Sequence, residues 1–105
     1  MKKEYYKLVR DRIPEIIDST GGRCKTRTLA EQEYVRMLNE KLQEELNEYL
    51  ESGSVEELAD LLEVMMAAAK AAGNDWQTVE AIRQEKYLAR GGFVDRILLL
   101  EVTEK

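Results

Sequence analysis

The chain has 105 residues, 44% hydrophobic and 35% charged, with a net charge of −5, one cysteine and no histidine. That size and composition fit one folded domain over residues 1–105, and the acidic balance argues against a nucleic-acid duplex as partner. The absence of histidine excludes Ser-His-Asp and Cys-His catalysis and histidine-bound zinc. A lone Cys24 excludes an internal disulfide.

The first ten residues mix Lys and Tyr with Leu8 and Val9 and read as an extended arm. They do not form a signal peptide, and no apolar run approaches the ~20 residues of a membrane span, so a cytoplasmic protein is expected. Asp11 is placed to cap a short helix through Ser19, with Pro14 in its first turn, where a missing N–H does no harm. Gly21-Gly22 ends that helix, and Arg23 to Thr28 is a loop or short strand. Thr28 with Glu31 three residues on is a capping-box pattern, opening a long helix to about Ser52 that Gly53 breaks. Ser54 with Glu57 repeats the pattern and opens a second long helix through Ala72, closed by Gly73. Asn74 with Gln77 opens a third, running to about Ala89. Arg90-Gly91-Gly92-Phe93 is a turn, and Arg96 to Val102 is a strand or ordered tail. Glycine and proline are scarce while Ala, Leu, Glu and Lys abound, which favours helix throughout. The expected fold is all-α: a helical bundle of one short N-terminal helix and three longer ones, with a short extended C-terminal segment.

Two of these helices carry acids where apolar residues belong. At about 100° per residue, Tyr34, Val35, Leu38, Leu42, Leu46 and Tyr49 gather on one face of the first long helix. Glu45 falls inside that stripe, and Glu48 lies at its edge beside Lys41; Glu44 points further outward. The second long helix is apolar almost all round, yet Glu57 projects between Leu61, Val64 and Ala68, and Asp60 sits at the boundary one turn along. Carboxylates three apart on one face repel, and burying them uncompensated costs several kcal/mol. The turn at Gly53 makes the helices antiparallel neighbours, so Glu45 and Glu48 can face Glu57 and Asp60. Four converging carboxylates form an oxygen-only site suited to a hard divalent cation, Mg²⁺ or Mn²⁺. The alternative is that they are solvated surface glutamates on helices already rich in them.

Glu44-Glu45-Leu46-Asn47-Glu48, followed by Glu57-Leu58-Ala59-Asp60, resembles the EExxE…ExxD pattern of the all-α NTP pyrophosphohydrolases, which include MazG-like proteins, phosphoribosyl-ATP pyrophosphohydrolases and dimeric dUTPases. Lys7-Leu8-Val9-Arg10-Asp11-Arg12-Ile13-Pro14-Glu15-Ile16-Ile17 resembles the opening of a MazG-like, phosphoribosyl-ATP pyrophosphohydrolase-like branch. Lys86…Arg90-Gly91-Gly92-Phe93 resembles that branch's closing motif. The resemblance implies that Glu45, Glu48, Glu57 and Asp60 bind Mg²⁺, with Mn²⁺ a possible substitute, and that Glu44 ligates a second ion or positions water. It also implies cleavage between the α- and β-phosphates, giving a nucleoside monophosphate and pyrophosphate, in the manner of enzymes that clear noncanonical nucleotides. Two alternatives stand beside it: the phosphoribosyl-ATP step of histidine biosynthesis, and a non-catalytic helical metal- or nucleotide-binding module.

Lys7, Arg10, Arg12, Lys86 and Arg90 are candidates for phosphate contacts, arginine being able to hold phosphate bidentately; salt-bridging or solvation is their competing role. Cys24 reads as an incidental thiol. Trp76 and the tyrosines serve packing more often than base stacking. The apolar girth of the second long helix needs cover on more than one side, which predicts a homodimer or a dimer of dimers, as the resemblance also implies.

Overall fold

A computed structural model describes Lys2 to Glu104. It is all-α as expected, with four helices: α1 (Ile13–Ser19), α2 (Glu31–Ser52), α3 (Val55–Ala71) and α4 (Trp76–Arg90). No described residue lies in a strand, so Arg23 to Thr28 is a loop and Arg96 to Glu104 an irregular segment. No helix among the described residues is long and apolar enough to cross a membrane.

The helices end where the glycines stop them, but the capping residues differ from expectation at three of four N-termini. Thr28 does not cap α2: the boundary residue is Ala30, with no side-chain cap. Asp11 does not cap α1, whose boundary is Arg12, also uncapped by a side chain. Asp75 rather than Asn74 caps α4, accepting the Thr78 N–H at 2.8 Å. The short carboxylate one residue later reaches the third amide of the helix, which satisfies the same orphan donor. Ser54 does cap α3, its hydroxyl accepting the Glu57 N–H at 3.4 Å. The reciprocal half of that box is missing, because the Ser54 N–H donates to Ser52 Oγ at 3.2 Å. The Glu57 carboxylate is therefore free to turn elsewhere.

Gly53 closes α2 at φ 68°, in the left-handed region, which a residue with a Cβ enters only at a cost. Two residues later α3 begins, so the chain doubles back and α2 and α3 lie side by side, with α4 on α3 and α1 packed on none of the three. The shared core is thin. Leu38 is the one buried hydrophobic among the described residues, at 2% exposure, with Leu42, Leu61, Val64 and Ala68 half-buried around the same seam. The radius of gyration is 18.8 Å and the long dimension 66 Å, against about 13 Å expected for a compact chain of this length and about 33 Å for a 22-residue helix. The terminal segments thus extend well past the helices.

Candidate metal centre

The α2–α3 hairpin brings together the acids that the helical rotation placed on facing sides. Carboxylate oxygens of Glu45, Glu57 and Asp60 lie within 4.8 Å of one another. Glu48 lies outside that group of three, but its charge adds to the raised pKa of both Glu45 and Glu57. Glu45 is 7% exposed while the neighbouring Leu46 is 37% exposed. The helix has turned an acid inward and a leucine outward.

The inward acids are poorly compensated. Oε2 of Glu45 and Oε2 of Glu57 are buried with no hydrogen-bond partner. Burial raises the pKa of Glu45, the adjoining Glu48 carboxylate raises it further by hydrogen bonding and charge, and Lys41 opposes them. Burial likewise raises Glu57, with Glu48, Asp60 and Glu56 adding to it. Both groups resist ionisation because solvent has been removed and like charges brought near.

Three cations reach the cluster. Lys41, on the same helix as the first acids, places Nζ 3.2 Å from Glu44 and 3.5 Å from Glu45. From the N-terminal arm, Arg10 Nη2 meets Asp60 Oδ1 at 2.7 Å and Lys7 Nζ lies 3.9 Å from Glu44. Lys7 also sits over the Tyr5 ring, 5.6 Å from its centre. Tyr6 between them has φ 48°, a left-handed conformation uncommon for a residue with a side chain. Five carboxylates (Glu44, Glu45, Glu48, Glu57, Asp60) are thus met by three positive charges, and none of the three reaches Glu57.

The donor set fits a hard divalent cation. All the donors are carboxylate oxygens, and one oxygen each of Glu45 and Glu57 is buried without a hydrogen-bond partner. Carboxylates of an ordinary solvated face have water for every lone pair; those of Glu45 do not.

The expected residues therefore divide. Glu45, Glu57 and Asp60 converge; Glu44 is joined to Glu45 only through Lys41, Glu48 lies outside the group of three, Lys7 meets Glu44 and Arg10 meets Asp60. Arg12 turns instead to Glu15 within α1, at 3.3 Å. Lys86 and Arg90 lie on α4, which packs on α3 alone among the helices, and both are exposed and unpaired with any acid of the cluster. Cys24 is exposed, its thiol 3.9 Å from the Pro14 carbonyl oxygen. Lys41 was not foreseen as part of the site, although its spacing to Glu44 and Glu45, three and four residues, is that of helical ion pairs.

A groove of about 880 Å³ lies toward the C-terminal end of α3, lined by Asp11, Tyr34, Glu63, Met66, Lys70 and Trp76 among others and by none of the cluster acids. Glu63 is one turn beyond Asp60 on α3, and Asp11 adjoins Arg10. Asp11, expected as a helix cap, is a groove residue instead. The volume is within the ~300–1,000 Å³ of small-molecule sites.

No protein-family model matches the chain, and no curated protein or solved structure matches it significantly.

Proposed function

We propose that this protein is a Mg²⁺-dependent nucleoside triphosphate pyrophosphohydrolase of the cytoplasm that removes noncanonical nucleotides. The observation that carries the metal half of this reading is the buried, partnerless Oε2 of Glu45, set beside Glu57 and Asp60. The reaction half rests on the resemblance of Glu44–Glu48 and Glu57–Asp60 to the EExxE…ExxD pattern.

Glu45, Glu57 and Asp60, joined by Glu48, would hold the ion. When bound, Mg²⁺ supplies neutralisation of phosphate oxygens and a water acidified for attack, which makes a histidine base dispensable. The chain's own residues do the rest. Lys41 holds Glu44 and Glu45 in place along α2. Glu44, half-buried and joined to Glu45 through Lys41, would ligate a second ion or orient the attacking water. Arg10 and Lys7 line the same edge on the N-terminal arm and would turn from Asp60 and Glu44 to phosphate oxygens. Both are half or more exposed or nearly so, so exchanging an acid for a phosphate costs little. The groove bordered by Tyr34 and Trp76 has the volume for a nucleoside.

One observation favours the second reading, a non-catalytic module that binds a metal or nucleotide. Lys86 and Arg90, two of the five candidate phosphate contacts, stand apart from the acids. In this reading the same ion binds and no bond is cleaved.

The deciding experiment is pyrophosphate release from a panel of canonical and noncanonical nucleoside triphosphates, phosphoribosyl-ATP included, with Mg²⁺ or chelator. Expected is Mg²⁺-dependent release that falls at least about 10²-fold in Glu57→Gln. Fast turnover of phosphoribosyl-ATP alone would reassign the enzyme to histidine biosynthesis. No release by folded, metal-loaded protein would leave the binding module.

A further inference from the structure

The acids face inward between α2 and α3, while the opposite side of α3 is apolar and open. Val55, Leu58, Leu62 and Met65 recur at three- and four-residue steps and fall within roughly 80° of helix circumference. All four are more than 40% exposed. By the same rotation the stripe is centred some 150° from Glu57 and Asp60, so it lies on the far side of α3 from the metal cluster. A seam of this spacing and width is what a helix presents to a packing partner.

A second unpartnered apolar element follows α4. Gly91 at φ 78° and Arg96 at φ 57° bracket a bend, closed by the Arg96 N–H donating to the Phe93 carbonyl at 3.2 Å. Beyond it, Ile97, Leu98, Leu99, Leu100 and Val102 are at least 75% exposed. Among the described residues, 97–104 form no regular structure. In an extended segment alternate side chains point to opposite sides, so Leu98, Leu100 and Val102 share an uninterrupted apolar edge. From Leu98 to Val102 an extended chain spans about 13 Å, close to the roughly 15 Å from Val55 to Met65 along α3.

The molecule's surface gives the scale of what is uncovered. The accessible area is 10024 Å², whereas a compact monomer of 12.1 kDa exposes about 6,000 Å². An excess of roughly 4,000 Å² per chain is about 8,000 Å² for two chains, more than the roughly 2,000–5,000 Å² in total that permanent homodimers commonly bury, so the uncovered area is ample for one such interface.

We infer that two copies of this chain exchange their C-terminal segments, Leu98, Leu100 and Val102 of each seating on the Val55–Leu58–Leu62–Met65 stripe of the other. The occupant is a second copy because the donor segment and the receiving stripe, matched in length, sit on one chain that leaves both open. Under a twofold axis each copy then supplies what the other lacks. The bend at 91–96 directs the segment off its own helices. This inference does not depend on the metal reading.

The test uses the full chain with Cys24→Ser, and reads mass and connectivity rather than hydrolysis. Sedimentation should give about twice 12.1 kDa, or an even multiple. Leu98→Asp with Leu100→Asp should weaken association at least about tenfold while helical circular dichroism is unchanged. Chains carrying Leu62→Cys, co-expressed with chains carrying Leu100→Cys, should be joined to each other by a short bis-maleimide. A monomeric parent chain, or double-aspartate chains that associate as tightly, would overturn the exchange. So would co-expressed single-cysteine chains that never cross-link, a readout that stands even if the aspartate variant misfolds.

Discussion

The two faces of α3 depart from the usual order of a soluble protein. Toward α2 lie Glu57 and Asp60, the former with a buried oxygen that has no hydrogen-bond partner, together with the 7%-exposed Glu45. Away from α2 lie Val55, Leu58, Leu62 and Met65, all exposed. A single folded chain minimises its free energy by burying apolar surface and hydrating charge. α3 half-buries Leu61, Val64 and Ala68 toward α2, yet it also carries acids into that seam and leaves an apolar stripe outside it. The outward face is a matter of quantity, an area awaiting cover. The inward face is one of chemistry, specific oxygens awaiting a ligand.

The comparison is most severely strained by removing the little core there is. Leu38→Ala should cost about 2–4 kcal/mol in chemical denaturation, since Leu38 is the buried hydrophobic of the α2–α3 seam. A loss below about 1 kcal/mol would mean that the seam contributes little and that the outward face, once covered, carries the fold.

The inward face is sharpened next. At a Mg²⁺ concentration near 100 times its dissociation constant, the parent protein should gain about 2.7 kcal/mol. Glu45→Gln should lose most of that gain, and in chelator it should be at least as stable as the parent, because it removes a poorly matched charge. If Glu45→Gln instead destabilises the chelator-treated protein, Lys41 already satisfies Glu45 and the cluster is a closed ion network.

Acidity probes the same point with a smaller effect. Glu45 and Glu57 bind protons more tightly folded than unfolded, through burial and the nearby Glu48, Asp60 and Glu56. The folded state therefore holds more protons between the ordinary carboxylate pKa and the raised one, and stability falls as pH rises through that window. Thermal unfolding in chelator should show a higher midpoint near pH 5 than at pH 7 from these two groups. Saturating Mg²⁺, which competes with the protons, should reverse the trend. An identical pH profile with and without Mg²⁺ would separate the carboxylates from any ion.

The smallest effect falls at the rim. Arg10→Ala removes a 2.7 Å ion pair between two well-exposed groups, so stability should change by less than about 1 kcal/mol. The KM for a nucleoside triphosphate should nonetheless rise severalfold with little change in kcat, since a phosphate contact made equally in ground and transition states affects binding alone. A stability loss with unchanged KM would confine Arg10 to tethering the arm.

Much of the fold was legible in local pattern. The two long helices, their break at Gly53 and the Ser54 cap follow from periodicity and turn chemistry, which act over a few residues. Thr28, Asp11 and Asn74 fitted capping patterns as well as Ser54 did, yet none of the three caps a helix. Several polar residues near a helix start compete for the same amides, and the backbone entering the helix selects among them. The intrahelical acids Glu45 with Glu48 and Glu57 with Asp60 were likewise readable, because 100° per residue is fixed by helix geometry.

What the sequence determined by itself is therefore the helical content, the hairpin, and the presence of acids on apolar stripes. These are consequences of spacing along one chain. Only the tertiary structure decided that Glu45, Glu57 and Asp60 come within 4.8 Å, that Arg10 and Lys7 reach the cluster while Lys86 and Arg90 do not, and that the outer side of α3 is bare. Those depend on how helices sit against one another and where the connecting segments lead, and residues far apart in sequence meet only once that packing is set.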